Sequence, residues 1–272
     1  MKSTFSFAFK RGAAALAAAS VAVCALLPAG GVVWAAETTT AESNDTFDDG
    51  TLTYKKLSNT TVSVTDCVES ATHISIMPKI DGYDIVSDRG KKLSPTALSL
   101  QSVTIPASVT EIGSAAFYGC TALTKVTVPD AVTKIEQGTF FSCTALTDLT
   151  LGKDTTEIGD MAFGYCTSLE TVTLPDTVET LGDQLFYYCT ALDKVQIPEK
   201  VTELGGYTFY GCMSLKSFTV PKNLENIGAM SFVACPSLET IAVEDGNTKY
   251  QAVDNVLYDT EESILYLYPR RR

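Results

Sequence analysis

Hydrophobic and polar positions from Leu100 onward repeat with a period of 23 residues. Each unit places a Leu, a Phe and a Cys at fixed offsets, as Leu123, Phe140 and Cys143 illustrate. The Phe column contains Phe117, Phe140, Phe163, Phe186, Phe209 and Phe232, and the Cys column contains Cys120, Cys143, Cys166, Cys189, Cys212 and Cys235. Because columns that keep register over so many copies do not arise by chance, the chain is predicted to stack copies of one small unit.

The first half of each unit has the alternation of a half-buried strand. Val126 and Val128 alternate with polar residues, which predicts a strand with one face in the core. Pro129 then ends the strand, because proline has no N–H to donate to a neighbouring strand. Val132 and Ile135 are predicted to point inward from a second extended stretch.

The second half of each unit has the pattern of a turn. A glycine usually follows the second stretch, which favours a turn that needs the backbone freedom of this residue, although Glu136 stands in the column once. The glycines of this column are Gly113, Gly159, Gly182, Gly205 and Gly228. The Phe and the Cys that follow are three residues apart, so they are predicted to share one face of a short helical turn.

One unit cannot bury its apolar side chains alone, but stacked units place Leu on Leu, Phe on Phe and Cys on Cys. Each fully buried apolar side chain contributes about 1.5–3 kcal/mol, so stacking outweighs local propensity. The predicted fold is therefore an α/β repeat, a leucine-rich-repeat solenoid whose 23-residue coils combine a parallel β-sheet with short helical turns.

The repeated unit L-x-x-V-x-[IV]-P-x-x-V-x-x-[IL]-G-x-x-x-F-x-x-C resembles the BspA-type leucine-rich repeat of bacterial surface proteins, from about Leu100 to Val243. Thr51–Leu57 and Thr61–Cys67 are similar to the β-hairpin that opens proteins of this family, and Tyr250–Pro269 is similar to a hairpin insertion between their repeats. The resemblance implies a secreted or surface protein of the kind often used in adhesion to host or microbial ligands.

The N-terminus has the features of an export signal. Lys2 and Arg11 lie in a positive region, Ala13–Leu27 is apolar, and small residues before the end of the segment predict cleavage after Ala35. An uncleaved membrane anchor is the alternative, but the apolar run is short and Pro28 interrupts it. The predicted organisation is signal peptide 1–35, disordered leader 36–50, N-terminal β-hairpin cap and degenerate repeat 51–99, solenoid 100–243 and C-terminal hairpin 244–272.

Composition narrows the possible partners. The 272 residues carry a net charge of -12, and such an acidic surface repels phosphate backbones, so no nucleic-acid partner is expected. No stretch after the signal segment is apolar enough to span a bilayer. A secreted or cell-surface location in bacteria follows from these features.

Candidate chemistry is sparse, and we expect no enzyme, no cofactor and no metal. His73 is the only histidine, and a catalytic triad needs a nucleophile and an orienting acid that converge on it. The Cys column fits a ladder of buried free thiols, while disulfide bridges between coils are an alternative in an exported chain. A zinc site is disfavoured because stacked thiols form a line instead of converging.

Two repeated surfaces are candidate ligand sites. The strand face is the row of Thr127, Thr150, Thr173 and Gln196, and the alternative is that Thr simply suits a solvated sheet. The aromatic ridge consists of Tyr118, Phe141, Tyr187 and Tyr210, with Tyr165 and Tyr188 one position further along their coils. Aromatic residues on an outer ridge are typical interface anchors, but they also fit sideways packing on one another.

The sequence thus predicts an exported binding protein for a host or microbial surface protein or glycan. A passive spacer in a larger surface protein is one alternative. A hydrolase is the other, although the periodic pattern supplies no convergent acids or nucleophile.

Overall fold

The computed structural model of the chain describes residues 99–260 throughout, together with short strands on either side. The strands outside that range are β1 (Ala25–Leu26), β2 (Val32–Val33), β3 (Thr46–Asp48), β4 (Leu52–Lys56), β5 (Thr61–Cys67), β6 (His73–Ser75), β7 (Lys79–Ile80), β8 (Tyr83–Ile85) and the last strand, β23 (Leu265–Leu267). The predicted cleavage point after Ala35 lies outside the described residues, and so do Ser94 and Ala97 of the degenerate repeat.

The first strand of each coil forms a parallel column with a register of 23 residues. Thus Val126 pairs with Leu149, and Phe218 pairs with Ile241. The column consists of β9 (Ser102–Thr104), β10 (Lys125–Thr127), β12 (Asp148–Thr150), β14 (Thr171–Val172), β16 (Lys194–Val195), β18 (Ser217–Val220) and β20 (Thr240–Val243). β6 pairs in parallel with β9, so the column begins before the first regular repeat.

The second extended stretch forms another parallel column, which the sequence predicted only as extended chain. Ile135 pairs with Ile158 and Ile158 with Leu181, again at 23-residue intervals. The strands are β11 (Lys134–Ile135), β13 (Glu157–Ile158), β15 (Thr180–Leu181), β17 (Glu203–Leu204) and β19 (Asn226–Ile227). The solenoid therefore has two hydrogen-bonded faces that enclose one core.

The core between these faces is the predicted stack of identical side chains. Leu123, Leu146 and Leu169 are fully buried, and the Phe rings stack coil on coil. Phe117 and Phe140 have centroids 5.4 Å apart, and Phe140 and Phe163 have centroids 6.1 Å apart. The leucine-rich-repeat solenoid of 23-residue coils is confirmed.

The predicted short helical turns are wrong for the described coils, where hydrogen-bonded turns carry the Phe and the Cys. Alternate amide groups of the turn donate to the next coil: Ala115 N to Gln137 O at 2.9 Å and Phe117 N to Thr139 O at 2.8 Å. Two positions per turn have positive φ, the first near Ala115 and the second at Gly119 and its equivalents. A helix would direct these amides along its own axis, so the contacts between coils replace it.

The glycine column has a different cause from the predicted turn. Gly159, Gly182 and Gly228 do not have positive φ. A Cβ at Gly182 would lie 2.4 Å from Asp160 N, and one at Gly228 would lie 2.4 Å from Gly206 N. The column is glycine because the backbone of the preceding coil approaches too closely for a side chain.

The N-terminal strands include the predicted hairpin. β4 and β5 pair antiparallel, and β5 also pairs in parallel with β8. β3 lies within the segment predicted as a disordered leader and pairs antiparallel with β4, which satisfies its backbone groups. The remainder of residues 36–50 lies outside the described residues, and its disorder stays a prediction.

The C-terminal hairpin closes onto the last coil. β21 (Tyr250–Val253) and β22 (Val256–Asp259) pair antiparallel, and β22 pairs with β23. Tyr250 and Leu257 are buried in the solenoid core, and Asn247 Nδ2 donates to Pro221 O at 2.8 Å. The hairpin therefore covers apolar side chains that a missing coil would otherwise cover.

Candidate functional site

The strand face is exposed, as its predicted role requires. Thr127, Thr150, Thr173 and Gln196 all point to solvent from the first parallel column. The neighbouring exposed row carries charges of both signs, including an ion pair between Lys125 and Asp148. The face is flat and polar, and a role for it in ligand binding stays a prediction.

The aromatic ridge is a continuous row of ring contacts. Tyr118 stacks on Phe141 with centroids 5.1 Å apart, and Phe141 meets Tyr165 edge-on at 5.3 Å. Tyr187 stacks on Tyr210 at 5.3 Å with an interplanar angle of 18°. The rings thus pack sideways on one another, as one of the two sequence-based alternatives predicted.

The same rings also remain accessible to a partner. Tyr118 and Tyr165 are 40% and 36% exposed, while Phe141, Tyr187 and Tyr210 are half-buried. Packing and display are therefore not exclusive. Rings held by their neighbours lose little conformational freedom when a ligand covers them, and this lowers the entropic cost of binding.

Tyr207 belongs to this surface and was not predicted as part of it. Its ring lies 5.8 Å from that of Tyr210, and it is 39% exposed. It comes two residues before the core Phe209, so it shares no column with the other aromatic residues. The only available signal was the turn geometry, because its positive φ of 57° directs the side chain outward beside Tyr210.

No charged residue occurs in the segments that carry the aromatic ridge. These are residues 115–122, 138–145, 161–168, 184–191, 207–214 and 230–237, none of which includes Asp, Glu, Lys, Arg or His. The chain as a whole has a net charge of -12, so this absence sets one side of the solenoid apart. Depletion of charge together with enrichment of Tyr is the composition of an interface core.

Two tyrosines of the aromatic ridge have left-handed backbone conformation. The φ angles of Tyr165 and Tyr188 are 58° and 54°, at positions where other coils have Gly119 and Gly211. Their rings stack on each other with centroids 5.3 Å apart and an interplanar angle of 5°. Side chains other than glycine seldom adopt this conformation, because the Cβ crowds the backbone at a cost of about 1–2 kcal/mol.

Glycines make room for the rings of neighbouring coils. A Cβ at Gly164 would lie 2.9 Å from the ring of Phe141, and one at Gly211 would lie 3.0 Å from the ring of Tyr188. Each aromatic side chain thus lies over a glycine of the next coil. The large and small residues along the ridge are therefore complementary, which explains why its aromatic residues alternate between two columns.

The crowding of hydroxyl groups affects the titration of Tyr187. Desolvation by the packed rings, together with the nearby Tyr165 and Tyr188 hydroxyls, raises the pKa of the Tyr187 hydroxyl. The group is therefore protonated at neutral pH and available to donate a hydrogen bond to a ligand.

The cysteine ladder lies inside the solenoid, and its described thiols are free. Each thiol from the second coil onward donates to a Phe carbonyl of the preceding coil, as Cys166 Sγ does to Phe140 O at 3.2 Å. Burial raises the pKa of the Cys166 and Cys189 thiols well above 9.0. These groups are protonated and shielded, which makes them structural and not reactive.

Other candidate chemistry is weak in residues 99–260. No group of three or more His, Cys, Asp or Glu side chains there is arranged to hold a metal ion. An open depression of about 360 Å³ beside the C-terminal hairpin is lined by residues such as Lys200, Lys222 and Glu225. Of His73 the structure gives only its place in β6, so its predicted surface or capping role is untested. In the described part of the chain, no helix has the length and hydropathy required to cross a membrane.

Solved structures with similar folds come from bacterial surface proteins. A leucine-rich cell surface protein from Faecalibacterium prausnitzii A2-165 is 32% identical, with a TM-score of 0.70 over 84% of this chain and 62% of that one. A leucine-rich repeat protein from Bacteroides ovatus is 30% identical, with a TM-score of 0.68 over 74% of this chain and 54% of that one. The chain thus spans less than two thirds of the length of either protein.

A more distant similarity is to the leucine-rich repeat protein of T. pallidum, which is 25% identical, with a TM-score of 0.54 over 73% of this chain and 83% of that one. No curated protein sequence matches the chain. The family model for the BspA type leucine rich repeat region matches residues 95–212 and 134–253, in six copies. These matches cover more than half of the sequence and confirm the predicted resemblance: the chain belongs to the BspA-type leucine-rich repeat family.

Proposed function

We propose that this chain is an exported binding protein of the bacterial surface that recognises a protein or glycan through its aromatic ridge. The observation that carries the proposal is the continuous row of partly exposed aromatic rings on a side of the solenoid without charged residues. Tyr buries a large area with few rotatable bonds, so such a row concentrates binding energy at low entropic cost.

The surrounding fold supports this role. Stacked coils hold the ridge rigid through hydrogen bonds between turns, such as Tyr165 N to Tyr187 O and Tyr188 N to Tyr210 O, both 2.7 Å long. The similar Faecalibacterium protein is described as a cell surface protein, which agrees with the export signal predicted at residues 1–35. Adhesion is the use that we infer for such a surface.

A binding screen with paired variants tests the proposal. The chain without residues 1–35 is applied to arrays of glycans and extracellular matrix proteins, beside Tyr187→Ala/Tyr210→Ala and Thr150→Lys/Thr173→Lys. We expect the Tyr pair to weaken capture of a ligand at least tenfold, because each truncated anchor typically contributes more than about 1 kcal/mol. The Lys pair places bulk and charge on the strand face and leaves the ridge intact.

The two pairs separate the alternatives. Loss of binding in the Lys pair alone would move the site to the strand face and reduce the ridge to a packing role. A ligand whose capture neither pair affects would contradict both surfaces. Absence of any ligand would favour a passive spacer. Thermal melts of each variant show whether a loss of binding reflects unfolding.

A further inference from the structure

Coils 146–168 and 169–191 depart from the repeat in two columns at once. Two residues after the core Phe, they have Tyr165 and Tyr188 where the other coils have Gly119, Ser142, Gly211 and Ala234. Three residues before the core Phe, they have Asp160 and Asp183 where the other coils have Ser114, Gln137, Gly206 and Ala229. Because all coils solve the same folding problem, paired departures in adjacent coils indicate a task beyond folding.

The tyrosines at these positions are not what the backbone favours. Gly119 and Gly211 show that glycine satisfies the same left-handed turn without strain. Tyr165 and Tyr188 keep bulky side chains there at φ values of 58° and 54°. Strained residues of this kind concentrate at ligand sites, where a needed side chain outweighs its backbone cost.

The aspartates add negative charge beside the rings. Asp183 Oδ1 accepts a hydrogen bond from Gly206 N at 2.7 Å, which places this carboxylate next to Tyr207. Asp160 Oδ1 accepts from Asp183 N at 2.9 Å in the same way. Both aspartates are exposed, and within residues 99–260 neither forms an ion pair, whereas Asp130 pairs with Lys153 at 2.8 Å.

We propose that the patch formed by Asp160, Asp183, Tyr165, Tyr188 and Tyr207 docks arginine side chains of a polypeptide partner. This inference rests on the proposed function and names the chemistry of its ligand. A guanidinium group is planar and weakly hydrated, so it packs flat against aromatic rings while its N–H groups donate to carboxylates and hydroxyls. An acidic partner is repelled by the net charge of -12, and a neutral glycan gains nothing from the unpaired carboxylates.

Fluorescence anisotropy with defined peptides tests this site. The probe is a labelled peptide of alternating Arg and Gly, and matched peptides replace Arg by Lys or by citrulline, its uncharged analogue. We expect the Arg peptide to bind more tightly than the Lys peptide and the citrulline peptide not to bind. Higher salt should weaken binding, since a charge pair contributes to it.

Two double variants dissect the patch. Asp160→Asn/Asp183→Asn removes both charges but keeps an oxygen that accepts the backbone hydrogen bonds. Tyr165→Gly/Tyr188→Gly removes both rings and suits the left-handed backbone. We expect each pair to bind the Arg peptide about tenfold more weakly. The control is Asp176→Asn/Glu199→Gln, which neutralises two exposed acids elsewhere in the solenoid and should bind like the unchanged protein.

The outcomes divide clearly. Equal binding of the Arg peptide by all variants would mean a general attraction to an acidic protein and would overturn the inference, as would equal binding of the citrulline peptide. Absence of Arg-peptide binding would also overturn it. If a ligand from the array screen still depended on Tyr187 and Tyr210 in that case, the proposed function would stand without this ligand chemistry.

Discussion

Left-handed residues are the feature of single positions that most shapes the coils. They recur every 23 residues in two columns, and most of them carry side chains. Met161 and Gln184 occupy the first column, and Ser142 and Ala234 occupy the second. Each such residue costs conformational energy that the hydrogen bonds between turns must offset.

Ala234→Gly should therefore stabilise the protein. Ala234 has a φ of 59° and is exposed, so glycine relieves strain without removing a buried contact. We expect the free energy of unfolding in urea to rise by about 1 kcal/mol. Ala242→Gly on β20 is the control, because Ala242 is exposed in a regular strand and should lose about 0.5–1 kcal/mol instead. A decrease in both variants would contradict the strain argument.

Individual residues also show where sequence reasoning reached its limit. The Phe and Cys columns were predicted correctly because a 23-residue period is visible in the chain itself. The turn was predicted as helical because Phe140 and Cys143, three residues apart, fit one face of a helix. What decides against the helix is a bond such as Phe140 N to Ala162 O at 2.9 Å, which joins residues in different coils. Local spacing has no information about such a partner.

The Phe stack is the element whose loss should cost most. Phe163 is fully buried between Phe140 and Phe186, with ring centroids 6.1 Å and 5.6 Å away. Phe163→Ala leaves a cavity in the middle of the stack and should lower the free energy of unfolding by about 3–5 kcal/mol. Thr173→Ala on the exposed strand face should change it by less than about 0.5 kcal/mol. Urea melts of the two variants compare them, and similar costs would contradict the assignment of the two faces.

The thiol ladder should make the protein sensitive to alkali. Burial raises the pKa of the Cys166 and Cys189 thiols above 9.0, whereas an unfolded chain titrates near that value. The unfolded state therefore releases protons first, so stability is retained below about pH 9. Above that pH each buried thiol should lower the free energy of unfolding by up to about 1.4 kcal/mol per pH unit.

A cysteine variant isolates this effect from tyrosine titration. Cys189→Ala loses some packing at every pH, but it should show a shallower fall of stability between pH 9 and higher values. Chemical denaturation at a series of pH values measures the slope. An unchanged slope would mean that other groups control the alkaline transition. The ladder is an element that the sequence predicted well, because identical residues at one period must stack.

At the scale of the whole molecule, the sequence revealed the architecture but not the composition of the aromatic patch. Tyr207 was missed because it occupies a column that has Met161 and Gln184 in other coils. Its place beside Tyr210 depends on the backbone of two successive turns. Periodicity finds what all coils share, whereas a binding site depends on how particular coils differ, so the second task needs coordinates.

The stacked arrangement also predicts how stability is distributed along the solenoid. Leu146, Phe163 and Leu169 in the middle are fully buried, while Val103 and Phe232 near the ends of the regular repeats each retain 7% exposure. In a repeat protein each coil is stabilised by its neighbours, so the outer coils should open more readily than the central ones.

Amide hydrogen exchange measures this gradient directly. The amide of Phe163, bonded to Leu185 O at 3.1 Å, should exchange more slowly than that of Phe117, bonded to Thr139 O at 2.8 Å. The shorter bond belongs to the less protected residue, so the comparison separates position in the stack from the strength of the individual bond. Phe163→Ala should reduce the difference, since it weakens the central coils on which their neighbours depend. Uniform protection across all coils would show instead that the solenoid opens only as one cooperative unit.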